Sequence, residues 1–154
     1  MVAIAGAWCR EMRIRSSLWT AGPTATALGA IAALSFAPWH WLILLAIGLS
    51  GLLWLVDQAT TWRRALLLGW LFGVGHFVVG LHWIAESFEV DPQRFGALAI
   101  PAVLGLSAYL ASFPALACVA TKLIGTRGPG RILVFAAAWS VAEWFRGTLF
   151  TGFP

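Results

Sequence analysis

An acid and a base, Glu143 and Arg146, are three residues apart in residues 139–154, a segment otherwise composed like a membrane-spanning helix. Charges at bilayer depth are rare, and they usually face a protein interior or a water-filled cavity. On a helix, Trp139 and Phe150 share the face of this pair, and the two charges can neutralise each other. The pair is predicted either to hold helices together or to contact a substrate, and the structural role is favoured.

A second polar group is predicted near the outer end of an earlier helix. His82 and Glu86 are four residues apart and would share a helical face, while Trp83 falls on a neighbouring stripe with His76. His82 and Glu86 are interpreted as the polar edge of a substrate cavity or, preferentially, as interfacial residues of a packing face. His76 is predicted to be a core histidine with satisfied hydrogen bonds. Neither a metal nor a cofactor is expected.

A different chemistry is suggested by residues 48–51, whose Gly-Leu-Ser-Gly matches the G-x-S-G of rhomboid-type intramembrane serine proteases. A working dyad needs Ser50 and a histidine, His76 or His82, at one depth on the outer side of the membrane. Ser50 is predicted in the inner half of its helix, and so short a match arises often by chance. The protease is kept as a minor alternative.

The composition is that of an all-α integral membrane protein. Hydrophobic residues make up 60% of the 154 residues and charged residues 10%, against about 45–50% and about 25% in soluble domains. One crossing needs about 20 apolar residues. Five transmembrane helices are predicted, at about residues 18–36, 39–56, 65–86, 95–121 and from 132 onward. Residues 1–17 are predicted to be a cytoplasmic segment and residues 18–154 one transmembrane domain.

Basic residues divide unevenly between the predicted loops. With a cytoplasmic N-terminus, eight lie on inside connections, and only Arg94 and Arg146 lie on outside ones. This bias is the positive-inside pattern of multi-pass membrane proteins. The inside residues are Arg10, Arg13, Arg15, Arg63, Arg64, Lys122, Arg127 and Arg131. Because they are spread over three loops, the net charge of +4 indicates topology, and nucleic-acid binding is not expected.

The two cysteines, Cys9 and Cys118, both fall near the predicted cytoplasmic side. Thiols stay reduced in that compartment, so a structural disulfide is not expected. Residues 1–8 are too short for a cleavable signal peptide, and the basic cluster follows them instead of preceding them.

Several blocks, in order and spacing, resemble the apolipoprotein N-acyltransferases of the bacterial cytoplasmic membrane. The most specific is residues 139–154 (WSVAEWFRGTLFTGFP), with its W-x-x-x-E-W-x-R-G motif and TGFP ending. The others are residues 34–39 (LSFAPW), 69–84 (GWLFGVGHFVVGLHWI) and 108–110 (AYL). The similarity covers nearly the whole chain from about Leu28, and it implies a multi-pass protein of the bacterial inner membrane.

The resemblance implies transfer of an acyl chain from a phospholipid donor to the diacylglyceryl-cysteine that begins a maturing lipoprotein. In that family the reaction passes through a cysteine thioester, completed by a Glu-Lys-Cys set in a periplasmic nitrilase-like domain. Neither cysteine nor Lys122 has the family's catalytic context, so no catalytic residue is carried over. The chain is expected to be a truncated bundle, the membrane half of the enzyme, monomeric and inactive alone.

Nine residues are candidates for lining a substrate cavity or for a structural role in it. The main alternative is a polytopic structural or transport protein without chemistry of its own. The candidates are His82, Trp83, Glu86, Trp139, Glu143, Arg146, Gly152, Phe153 and Pro154.

Overall fold

The computed structural model describes residues 18–36, 39–90, 92–126 and 128–149, and every regular element in these ranges is helical. The predicted all-α class is therefore confirmed for this part of the chain. The predicted N-terminal segment and Cys9 lie outside the described residues. The α-helices are α1 (Leu18–Ala33), α2 (Leu42–Gln58), α3 (Trp62–Gly80), α4 (Pro92–Phe95), α5 (Ala99–Leu110), α6 (Ser112–Ile124) and α7 (Pro129–Thr148), with 3-10 segments at His82–Val90 and Gly96–Leu98.

Helix length and composition identify fewer membrane crossings than the sequence predicts. Within the described ranges, one continuous helical stretch, Gly96–Ile124, is long and apolar enough to cross a bilayer. A second crossing results if α3 and the following residues to Phe88 count as one span bent by 50°. Helix α2 is apolar but has only 17 residues. Five crossings and their orientation therefore stay predictions.

Helix α3 begins and ends earlier than predicted. It starts at Trp62 because the Thr61 hydroxyl caps it, accepting a hydrogen bond from the Arg64 N–H at 3.3 Å. It ends at Gly80, a residue that weakens helices because its backbone loses most entropy on ordering. His82 Nδ1 then donates to the Val79 carbonyl at 2.8 Å, which satisfies one of the helix's last acceptors.

The long fourth helix of the prediction is divided at Ala111 into α5 and α6. Pro114 has no N–H to donate to the carbonyl of Leu110, so the regular hydrogen-bond ladder is interrupted at this point. The backbone nevertheless stays helical at Ala111, with φ −61° and ψ −17°. The two helices consequently continue in one direction as a single stretch.

Helices α1 and α2 are joined by a reversal of the chain. The Trp41 N–H donates to the Leu34 carbonyl at 3.3 Å. His40 adopts φ +52°, in the left-handed region that few residues other than glycine visit. Residues 37 and 38 lie outside the described residues.

Helix α3 is the centre of the bundle, packed against α1, α2, α5 and α6. Its close packing depends on Gly69 and Gly73. A Cβ atom at Gly69 would lie 2.8 Å from Cα of Ala115, and one at Gly73 would lie 2.7 Å from Cα of Ala111. Because these backbones are already in contact, α6 and α3 fix each other's position.

Candidate functional site

A cavity of about 560 Å³ lies between α3 and α7 and is called the α3–α7 cavity below. Its polar lining consists of His76, Glu143 and Arg146. This composition, mostly apolar with a few convergent polar groups, is typical of ligand sites. The rest of the lining is apolar: Phe36, Leu45, Phe72, Phe77, Gly80, Leu81, Trp83 and Trp139.

Helix α7 supplies one side of this cavity. It begins at Pro129, three residues before the predicted start, because proline is well tolerated in the first turn, where its N–H would have no intrahelical partner. Trp139, Glu143 and Arg146 follow at intervals of four and three residues and so share a face. All three line the cavity, and the structure thus brings together the three candidates from this helix that it describes.

Glu143 and Arg146 form an ion pair, in which Nη2 of Arg146 donates to Oε2 of Glu143. The Arg146 side chain is 15% exposed and that of Glu143 is 34% exposed. The guanidinium also lies over the ring of Phe77 in α3, with 5.7 Å between its central carbon and the ring centroid. The positive charge is thus held between a carboxylate and the negative face of an aromatic ring.

Aromatic rings form the wall beside this ion pair. Phe72 packs edge-on against Trp139 with centroids 6.2 Å apart, and it stacks on His76 at 6.1 Å. Phe36 and Phe77 contact the other sides of the imidazole at 5.4 Å and 5.2 Å. Aromatic pairs prefer edge-to-face or offset geometries, and each such pair contributes about 0.5–1.5 kcal/mol beyond its buried area.

His76 stands at the centre of the aromatic wall and is buried, as predicted. The carbonyl of Gly29 in α1 lies beside its ring, and the charges of Glu143 and Arg146 are close enough to act on it. Its Nδ1 makes no hydrogen bond to any described residue, so the predicted satisfaction of its hydrogen bonds is not complete. The helical spacing of the sequence already placed His76 and Trp83 on one face, and both line the cavity.

The remaining candidates are distributed differently. Trp83 lines the cavity, whereas His82 and Glu86 are exposed in the 3-10 segment and do not line it. His82 and Glu86 would share a face in an α-helix, where residues four apart are neighbours. In the 3-10 segment residues three apart lie above each other, so His82 and Glu86 do not share a face. Gly152, Phe153 and Pro154 lie outside the described residues.

Two other chemistries find no support in the described part of the chain. Ser50 lines a different cavity, between α2 and α7, and not the one that contains His76. Neither His76 nor His82 lines the cavity that contains Ser50, so the described residues give no indication of a serine protease dyad. No group of three His, Cys, Asp or Glu side chains within the described ranges is placed to hold a metal ion.

The outer surface of the bundle is unusually apolar, with Leu42, Ile43, Ile100 and Leu133 each at least 70% exposed. Exposed apolar area on this scale marks a surface that contacts lipid or another protein. The fold and the site together define an α-helical bundle with an apolar exterior and an aromatic cavity. The chain belongs to the apolipoprotein N-acyltransferase family, and residues 28–154 match the family's N-terminal domain.

Individual relatives agree with this assignment. An apolipoprotein N-acyltransferase of Allorhizobium ampelinum is 41% identical over 146 residues, covering 88% of this chain and 28% of the relative. One from Brucella melitensis is 42% identical over 146 residues, covering 88% and 27%. One from Ralstonia nicotianae is 42% identical over 138 residues, covering 87% and 26%. The chain thus spans about a quarter of the length of the curated relatives it matches.

Proposed function

We propose that the chain is the membrane domain of a bacterial apolipoprotein N-acyltransferase. The intact enzyme transfers an acyl chain from a phospholipid to the N-terminal diacylglyceryl-cysteine of a lipoprotein. The chain crosses the inner membrane about five times with a cytoplasmic N-terminus, and it acts as a monomer. The covalent chemistry takes place in the nitrilase-like domain of the enzyme. The helices of this chain bind the phospholipid that donates the acyl chain.

The α3–α7 cavity is the observation that carries this proposal. Its aromatic and aliphatic lining accommodates the acyl chain of a phospholipid through dispersion contacts, which are weak singly but add up over a chain. The Arg146 guanidinium offers a charged donor to a phosphate or ester oxygen, and Glu143 offers an acceptor to an ammonium group. The cavity therefore matches a molecule with a long apolar tail and a charged or polar end.

The packing around the ion pair supports a role in positioning this polar end. Arg146 is held by Glu143 within its own helix and by Phe77 across the bundle. A charge that is fixed before the ligand arrives loses little conformational entropy on binding. Trp139 and Phe72 fix the adjacent wall in the same manner.

Photocrosslinking to a phospholipid with a diazirine in its acyl chain tests the proposal on the purified chain in nanodiscs. Gly80 lines the cavity, and a Cβ placed on it meets no atom within 4 Å, so Gly80→Phe fills the cavity without a clash at the backbone. Crosslinks to Trp139 and Phe72 are expected in the parent chain and should be largely lost in Gly80→Phe.

Gly105→Phe is the matched control for this experiment. Gly105 also has no atom within 4 Å of an added Cβ, but it lies on α5 and does not line the cavity. Its crosslinking pattern should equal that of the parent. Crosslinks spread evenly over the exposed side chains, with no response to Gly80→Phe, would show that the cavity does not hold lipid.

A further inference from the structure

A second cavity, of about 470 Å³, lies between α2 and the start of α7 and is called the α2–α7 cavity. Its charged lining consists of Asp57 and Arg131. Arg131 precedes Glu143 by twelve residues on α7, a distance of about 18 Å along the helix axis. This site is therefore separate from the α3–α7 cavity and takes no part in the function proposed above.

The hydrogen bonds of Arg131 are incomplete. Its side chain is 13% exposed, Nε lies 2.5 Å from Oδ1 of Asp57, and Nη1 donates to the Thr126 carbonyl at 3.3 Å. Nη2 and Nε are buried and make no hydrogen bond in the described ranges, although Nε belongs to the ion pair with Asp57. The neighbouring Thr126 hydroxyl also has no hydrogen-bond partner there. Two adjacent donors without acceptors in a buried setting are unfavourable unless a ligand supplies the acceptor.

The charges around the cavity favour an anion. Lys122 brings a second positive charge, since its Nζ donates to the backbone carbonyl of Asp57 at 3.5 Å. With one carboxylate against two cations, the cluster formed by Asp57, Lys122 and Arg131 has a net charge of +1. Asp57 faces Nε and the Thr126 carbonyl accepts from Nη1, so Nη2 is the guanidinium nitrogen that is left to donate to a phosphate oxygen.

The apolar rim indicates which phosphate-bearing molecule fits. Trp54 and Ile132 line the cavity and are 57% and 59% exposed. In a membrane-embedded bundle these two side chains would contact the surrounding lipid. The charge pattern predicts that this end faces the cytoplasm, so the lipid headgroups at its level are those of the cytoplasmic leaflet. Basic pockets between helices on that side are suited to anionic lipid headgroups. We propose that the α2–α7 cavity binds the phosphate of an anionic phospholipid headgroup from the cytoplasmic leaflet.

Native mass spectrometry of the purified chain, titrated with phosphatidylglycerol, measures this binding. Arg131→Gln should raise the dissociation constant about tenfold or more, as expected for loss of a hydrogen-bonded charge. Arg63→Gln is the matched control, because Arg63 is an exposed base near the same end of the bundle but does not line the cavity. It should change the dissociation constant less than about twofold, as expected for an exposed charge.

The sign of the effect at Asp57 separates ligand binding from a purely structural role. Asp57→Asn removes a carboxylate that repels phosphate, so phosphatidylglycerol should bind equally well or more tightly. If the ion pair served stability alone, Asp57→Asn and Arg131→Gln would act in the same direction. The double variant avoids a stranded charge, and it should fold like the parent while losing the lipid.

Competition identifies the source of the phosphate. Displacement of phosphatidylglycerol by excess inorganic phosphate supports a site that recognises the phosphate group by itself. Failure of inorganic phosphate to compete, with binding still dependent on Arg131, supports recognition of the complete headgroup at the lipid surface. Equal affinity of the parent and Arg131→Gln for phosphatidylglycerol, or loss of binding in Asp57→Asn, overturns the proposal.

Discussion

Arg146 of α7 lies over the ring of Phe77 in α3, with the guanidinium carbon 5.7 Å from the ring centroid. The same guanidinium donates to Glu143 one turn earlier in its own helix. One side chain therefore links the two helices that form the cavity, and it does so with contacts on two sides of its charge. The position of that charge relative to the aromatic wall is consequently set by side-chain contacts between α3 and α7.

The Glu143–Arg146 pair should behave as a coupled unit in stability measurements. Glu143→Gln or Arg146→Gln alone leaves a partly buried charge without its partner, which costs roughly 1–3 kcal/mol of unfolding free energy. The double variant removes both charges and should be destabilised by less than the sum of the single losses. Reversible unfolding of the purified chain in mixed micelles, followed by circular dichroism, measures all three differences.

Glu86→Gln is a suitable control for that series. Glu86 is an acid on the exposed 3-10 segment, and its replacement should change the unfolding free energy by less than about 0.5 kcal/mol. Strictly additive losses at Glu143 and Arg146 would show instead that the two residues act independently.

The sequence was sufficient to predict the helices but not their ends near the site. The positions of α2 and α5–α6 follow from the apolar stretches, because the length and composition of a stretch are properties of the sequence itself. The 3-10 segment after Gly80 was missed, since it depends on the weak helix preference of one glycine and on a hydrogen bond from His82 to Val79. A continuous helix would have paired His82 with Glu86, so the missed bend also explains why that part of the predicted site is different.

The cavity itself was only partly predictable. Helical spacing on α7 placed Trp139, Glu143 and Arg146 together, since residues at intervals of three and four share a face. The spacing does not show which helix they would face, because that depends on how α7 packs on α6 and how α6 packs on α3. Phe36 and Phe72 belong to the wall only through this tertiary packing.

Gly73 should be intolerant of even one additional methyl group. In Gly73→Ala the new Cβ would lie 2.7 Å from Cα of Ala111 and 2.8 Å from its Cβ, so α3 and α6 would have to separate. Overpacking of this kind destabilises by about 1–3 kcal/mol. The melting temperature of the chain in detergent should fall accordingly.

Gly105→Ala provides the matched comparison for the glycine test. No atom lies within 4 Å of an added Cβ at Gly105, and alanine favours a helix interior over glycine by about 1 kcal/mol. The melting temperature of this variant should stay unchanged or rise. An equal fall of the melting temperature in both variants would mean that helix α3 and Ala111 are not in close contact.

The predicted topology places the connections at residues 60 and 91 on opposite sides of the membrane, so they should differ in labelling. The positive-inside bias puts residue 60 in the cytoplasm and residue 91, which lies outside the described residues, in the periplasm. In a variant with Cys9 and Cys118 replaced, a membrane-impermeant maleimide added to spheroplasts should label a cysteine at 91 and not one at 60. The reverse pattern would invert the topology.

The 154-residue chain by itself should form no acyl-enzyme. A thioester requires a reactive thiolate, which an adjacent positive charge or base must stabilise and which the acyl donor must be able to reach. Cys118 is fully buried between apolar side chains, packed with Phe72 and Leu68 in the core. Cys9 belongs to the segment predicted to be cytoplasmic, whereas the proposed function places the catalytic domain in the periplasm. Incubation with radiolabelled phospholipid should therefore leave no hydroxylamine-sensitive label on the chain. A label that disappears in Cys118→Ser would instead place covalent chemistry within this chain.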